Sequence, residues 1–186
     1  METRERILAC AMSELERTGI ENFSLRAVGT AAGLTPMAVY RHYADREALL
    51  TAVGEAAFAE WERRIARIGA KRPTAWLRAA GRAYIEFALD QPARFEACFV
   101  IRTDVERLYP ADFAAGRSPV VTQIVAKIVA AQSAGEIGAG DSLELAIFFW
   151  AELHGLAMLH RAGRFAMKRA AFLALIDRAI DRMLET

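Results

Sequence analysis

Between Ser24 and Asp45 the chain reads SLRAVGTAAGLTPMAVYRHYAD, and it carries start and stop signals too closely spaced for anything but short helices. Ser24 suits a helix N-cap, and Gly33 suits the C′ position that ends the same helix. Thr35 is a second cap, followed at once by Pro36 at the first helical position, where a missing N–H costs nothing. Asp45 is a third cap. A helix opening at Pro36 has about two turns before that next start, and only Val39 and Tyr43 share its inward face. Such a helix buries little, and its other side chains, Met37, Ala38, Arg41 and His42, point elsewhere.

The surrounding pattern is helical throughout. Ile7, Leu8, Ala11, Met12 and Leu15 recur with helical period up to Gly19. Asp45 opens a long helix carrying Leu49, Leu50, Val53, Ala57 and Trp61 and reaching about Ile68, before the break at 69–73. Further helices are expected at about 74–90, 93–101, 120–134, 142–161 and 167–184. The Gly-punctuated AGEIGAGD separates the 120–134 and 142–161 helices. No alternating β pattern of useful length and no internal repeat is present. The fold class expected is all-α: an N-terminal three-helix helix-turn-helix followed by an α-helical ligand-binding and dimerisation domain. The domain boundaries expected are 1–45 for the DNA-binding head and 46–186 for the body, with the helix 45–68 connecting them.

Two short helices joined by a tight turn and preceded by a third make a helix-turn-helix, whose second helix fits the DNA major groove. Net charge is +1, so any nucleic-acid surface is a local patch. Residues 1–50 hold six Arg against seven Asp or Glu, whereas 24–46 carry Arg26, Arg41 and Arg46 against Asp45 alone. Over Phe23–Leu50 the chain resembles the TetR family of bacterial transcriptional regulators. Its pattern is a hydroxyl cap, a helix ending in Ala-Ala-Gly, a short recognition helix ending Tyr-x-His-Phe, then a basic residue and Leu-Leu. Ser24, Ala32, Gly33, Tyr40, His42, Arg46, Leu49 and Leu50 fit it. The resemblance implies phosphate contacts from Ser24, Tyr40 and Arg46, and groove contacts from Arg26, Thr35, Met37, Ala38 and His42, with Arg41 a further candidate. Gly29 departs from the family's usual alanine. It should weaken its helix by roughly 1 kcal/mol, and it either lets the first helix approach closely or is simply tolerated. Tyr43 replaces a phenylalanine and needs a partner for its hydroxyl. Met37 and Ala38 offer apolar contact to thymine methyl groups, with arginine left to read guanine.

Beyond residue 70 the resemblance is to a subgroup named for a Trp-His-Gly pattern, here Trp150, His154 and Gly155. The run LELAIFFWAELHGLAMLH from Leu143 is apolar on all sides, so it must be covered on two faces. With Val120, Val121, Ile124, Val125, Ile128 and Val129 it forms the expected homodimer interface, through helices near 120–134 and 142–161. Trp76, Tyr84, Phe87, Phe95, Phe99, Phe148, Trp150, His154 and Met158 are the expected walls of a pocket for a largely apolar small-molecule effector.

Other function classes find little support. Three histidines without HExxH or Cys-x-x-Cys spacing give no metal site, and no P-loop, GxSxG or GxGxxG motif marks a catalytic residue or a cofactor. Cys10 and Cys98 read as reduced thiols. No run of about 18 uncharged apolar residues predicts a membrane span. METRERIL lacks the apolar core of a secretory signal, so a cytoplasmic location is expected. The function expected is a ligand-responsive repressor binding a palindromic operator. The alternative is a helical small-molecule-binding or interaction protein that has lost specific DNA binding.

Overall fold

A computed structural model describes residues 2–99 and 108–185, and these contain ten α-helices and no strand. In chain order they are α1 (Thr3–Thr18), α2 (Leu25–Ala31), α3 (Pro36–Tyr40), α4 (Arg46–Ala66), α5 (Pro73–Asp90), α6 (Pro92–Phe99), α7 (Ala111–Ala114), α8 (Pro119–Ser133), α9 (Ser142–Arg161) and α10 (Arg169–Leu184). The short α7 falls in a stretch expected to be irregular, and the last two residues of the expected 93–101 helix lie outside the described residues. The caps explain most of the starts. Ser24 Oγ accepts from the Ala27 amide, Thr35 Oγ1 from Ala38, Asp45 Oδ1 from Ala48, and Asp141 Oδ1 from both Leu143 and Glu144. Each satisfies an amide that the first helical turn leaves without a partner.

The chain packs as two compact units, and the division differs from a boundary at 45. One unit holds α1, α2, α3, α4 as far as Trp61, and α6. Its core is built from Ile7, Ala11 and Leu15 of α1, Val28 of α2, Val39 of α3, and Leu49, Leu50, Val53 and Ala57 of α4, with Phe23, Tyr43 and Ala97. The three-helix head cannot cover α1 and α4 alone, and α6 completes it. It packs against α1, and its Arg94 donates to Glu16 of α1 and to Glu60 of α4, both at 2.6 Å. Cys10 and Cys98 are both partly buried against this core, and they form no disulfide.

The other unit holds the end of α4, α5 to Leu89, and α7–α10. Trp76, Leu77, Ala80, Tyr84, Ile85 and Phe87 of α5 are buried, as are Ile124 and Ile128 of α8, Phe149 and Leu153 of α9, and Phe172, Ile176 and Ile180 of α10. Gly81 sits where helices meet. A Cβ built there would lie 2.8 Å from Ile180 Cδ1, 3.0 Å from Phe149 Cζ and 3.1 Å from Leu153 Cδ1. The α8–α9 turn is pinned to the start of α5, since Glu136 accepts from the Thr74 amide and hydroxyl and pairs with Arg72. Those bonds from Thr74, more than the charge of Arg72, hold the Glu136 carboxyl below its ordinary range.

Candidate functional site

The turn of the helix-turn-helix is a Schellman motif. Gly33 adopts φ +65°, the Leu34 amide donates to Gly29 O at 2.8 Å, and the Gly33 amide donates to Thr30 O at 3.1 Å. A side chain at Gly33 would be strained at this φ, so glycine is the favoured residue for this abrupt stop. Two residues later Thr35 starts α3. Gly29 is the reason α2 and α3 pack so closely. A Cβ on it would lie 3.2 Å from Val39 Cγ2 and 3.4 Å from Leu34 O. The close approach is therefore by α3, where the sequence leaves open an approach by α1 or a glycine simply tolerated.

This packing leaves one face of the helix pair exposed. Val39 and Tyr43 are buried, whereas Arg26, Thr35, Met37, Tyr40, Arg41 and His42 are exposed and Ser24 and Ala38 half-buried. Met37 is 66% exposed, an unusual position for a thioether with no partner of its own chain to cover it. Among the described residues, Arg26 and Arg41 have no ion-pair partner, so their charge is available. The Ser24 and Thr35 oxygens accept from amides, which leaves each hydroxyl proton to donate outward.

Arg46 is placed differently. Its guanidinium donates to Phe23 O at 3.2 Å and to Ile20 O, and it lies over the Phe23 ring. It ties the start of α4 to the α1–α2 connection. Tyr43 finds its hydroxyl partner in Arg4 O at 3.5 Å, and the Arg4 guanidinium sits 5.5 Å from the centre of the Tyr43 ring. Nothing in the local pattern around Arg4 marks this, because the pairing joins residues far apart in sequence.

The nine expected pocket walls do not form one group. Tyr84, Trp150 and His154 do come together. Trp150 Nε1 donates to the Tyr84 hydroxyl at 3.1 Å, and that oxygen lies 2.8 Å from His154 Nδ1. Burial lowers the His154 pKa from its ordinary 6.5. A neutral imidazole with Nδ1 accepting from Tyr84 satisfies the arrangement. Phe113 of α7 meets Trp150 edge-on, a neighbour the sequence does not suggest because the stretch holding α7 reads as irregular. Phe95 and Phe99 instead belong to the head-containing unit, their ring centres 5.0 Å apart and the rings tilted by 53°, with Phe99 edge-on to Trp61 and Phe58. Trp76 is buried with the Lys127 ammonium 5.5 Å from its ring centre, Phe87 is buried, and Met158 is half-buried. Phe148 is 62% exposed and lines no wall.

Phe148 shares an uncovered face of α9 with Ala151, Gly155 and Leu159, at helical spacing. A Cβ at Gly155 would meet nothing within 4 Å. On the neighbouring α8, Ala126, Val129 and Ala130 are exposed as well. By length and mean hydropathy, 1.3, α9 is long and apolar enough to cross a membrane, although no uncharged apolar run of that length occurs in it. Here α9 packs on α8 and α10 and carries Glu144, Glu152 and His154. Among the described residues no cluster of metal-ligating side chains occurs.

Solved structures share this fold along the whole chain. A protein of unknown function from Rhodococcus sp. RHA1 is 27% identical, with a TM-score of 0.80, covering 100% of this chain and 97% of that one. A bacterial regulatory protein in the tetR family from Rhodococcus RHA1 is 19% identical, with a TM-score of 0.72 and coverage of 100% and 98%. AibR, in complex with isovaleryl coenzyme A and operator DNA, is also 19% identical, with a TM-score of 0.71 and 98% of each chain covered. No curated protein matches. Residues 7–53 match the family described as bacterial regulatory proteins, tetR family, and residues 77–183 match the tetracyclin repressor-like C-terminal domain. Neither match confirms the Trp-His-Gly subgroup. TetR-family proteins are ligand-responsive, DNA-binding transcription regulators and not enzymes. With both of its parts matched, the second over more than half its length, the chain belongs to the tetR family.

Proposed function

We propose that this protein is a repressor that binds a palindromic operator as a homodimer and is released by a small, largely apolar effector. The observation that carries the reading is the capped, Gly33-turned helix pair with Arg26, Thr35, Met37, Tyr40, Arg41 and His42 left exposed on it. In this reading α3 enters the major groove. Tyr40 and Ser24 contact phosphate, while Arg26, Thr35, Met37, Ala38, Arg41 and His42 face base edges. One five-residue helix covers only a few base pairs, so specificity needs two copies on a two-fold site. The uncovered face of α8 and α9 around Val129, Phe148, Gly155 and Leu159 is where the second copy packs. The effector is held among Tyr84, Phe113, Trp150 and His154, where aromatic rings surround few polar groups.

Release follows from linkage. The effector must bind the conformation that does not fit DNA more tightly, and a thousandfold preference is about 4 kcal/mol. The continuous α4 is the element able to transmit a tilt that changes the spacing of two reading heads away from one DNA turn, about 34 Å. The test is fluorescence anisotropy of the purified protein on DNA from upstream of its own gene, at low and physiological salt, with scrambled competitor. Tight, salt-sensitive binding that survives competitor supports the reading. Binding no stronger than to scrambled duplex would overturn it in favour of a helical protein without operator recognition.

A further inference from the structure

The family pattern places a phosphate-contacting basic residue at the start of the helix after the recognition helix, and in this chain that residue is Arg46. The structure has spent Arg46 elsewhere. Two of its guanidinium nitrogens donate to the Ile20 and Phe23 carbonyls, and its guanidinium carbon lies 5.9 Å from the Phe23 ring centre. Turning it outward would leave two carbonyls of the α1–α2 connection short of a donor.

A different arginine stands beside the reading helix. Arg4 belongs to the first turn of α1, and both parts of it are held on Tyr43, three residues beyond the end of α3. Its carbonyl accepts from the Tyr43 hydroxyl at 3.5 Å, and its guanidinium lies 5.5 Å from the Tyr43 ring centre. A guanidinium held near a ring by cation–π attraction spends no N–H group there, and these are left to bind an oxyanion in a fork. Arg4 is exposed and has no ion-pair partner among the described residues. The acidic neighbours are otherwise engaged. Glu2 and Glu5 form a capping box, each carboxylate holding the other's backbone amide across the start of α1. In the same turn, Arg6 buries its Nε without a hydrogen-bond partner, a second cationic group whose bonding the protein does not complete.

We infer that Arg4 contacts a DNA phosphate flanking the groove that α3 enters, and that Arg46, the arginine the family pattern assigns to this work, is an internal clamp. The inference rests on the reading of the head as a DNA binder. A phosphate contact carries no base information, so its loss weakens all sequences alike and lowers the salt dependence of binding.

The full-length protein is titrated by anisotropy against one duplex selected from a random-sequence pool and one unselected duplex, between about 50 and about 200 mM KCl. Each lost contact lowers the slope of log K against log salt by about 0.9, so Arg4→Gln in a dimer lowers it by about 1.8. The advantage of the unmodified protein over the variant then shrinks roughly tenfold across that salt range, equally on both duplexes. Arg4→Lys keeps the charge and should restore the slope. Arg46→Gln, measured at a temperature where its circular dichroism matches that of the unmodified protein, should melt earlier yet keep the full slope. An unchanged slope in Arg4→Gln overturns the inference, as does a slope lost in Arg46→Gln and kept in Arg4→Gln. If the unmodified protein selects no duplex from the pool, the regulator reading itself fails and takes this inference with it.

Discussion

Gly29 was legible as an oddity, a helix-weakening residue in a helix already short, but its reason lay in a neighbour. Only the packed structure puts Val39 and the Leu34 carbonyl against it. Gly29→Ala should therefore gain less than the roughly 1 kcal/mol that helix propensity alone offers. Gly29→Leu should lose about 1–3 kcal/mol through overpacking. Urea unfolding of both variants checks this, and a full propensity gain for alanine would show the contact to be slack. His154 offers a second test at this scale. Burial lowers its pKa from 6.5, so the unfolded chain takes up a proton at a higher pH than the folded one does. Stability associated with neutral His154 is complete above 6.5 and is lost as pH falls through the lowered folded value. Unfolding free energies compared between about pH 8 and about pH 5 should fall with acid, and His154→Gln should flatten the fall. Equal slopes in the two proteins would remove His154 as the source.

At the scale of elements, the helices themselves were readable because caps and stops are local chemistry. Ser24, Thr35, Asp45 and Asp141 each satisfy an amide within three residues, and Gly33 needs only its own backbone. The short α7 is not legible, since Ala111–Ala114 has neither a side-chain cap nor length enough for a period. Which helix meets which was not readable. The apolar face of α6 resembles that of any amphipathic helix, and it is the pairing of Arg94 with Glu16 and Glu60, far off in sequence, that assigns it to the head. Gly81 marks a comparable long-range meeting. Valine there must displace Ile180, Phe149 and Leu153 together, so Gly81→Val should destabilise the protein by about 1–3 kcal/mol. Thermal and urea unfolding would register this, and a stability equal to that of the unmodified protein would mean that the three side chains swing aside freely.

For the whole molecule, the uncovered face of α9 is the feature with the most to explain. A side chain as large as Phe148 left 62% exposed, beside Val129 at 46% and Leu159 at 48%, loses nothing only if another surface covers it. Phe148→Asp should convert the proposed dimer to monomer in sedimentation velocity, with helicity retained, and should weaken operator binding because the two heads are no longer joined. A monomeric unmodified protein, or a variant still dimeric, would count against this face. Sequence alone settles the all-helical class, the helix-turn-helix and its caps, because these depend on hydrogen bonds and φ angles within a few residues of each signal. It also marked α9 as apolar all round. The tertiary structure alone decided that Arg46 turns inward while Arg4 stands over Tyr43, and that Phe148 faces outward. It also brought Tyr84, Trp150 and His154 together while setting Phe95 and Phe99 against each other in the other unit. Those outcomes follow from which non-local faces bury one another, and burial is a property of pairs of elements that no single stretch of chain encodes.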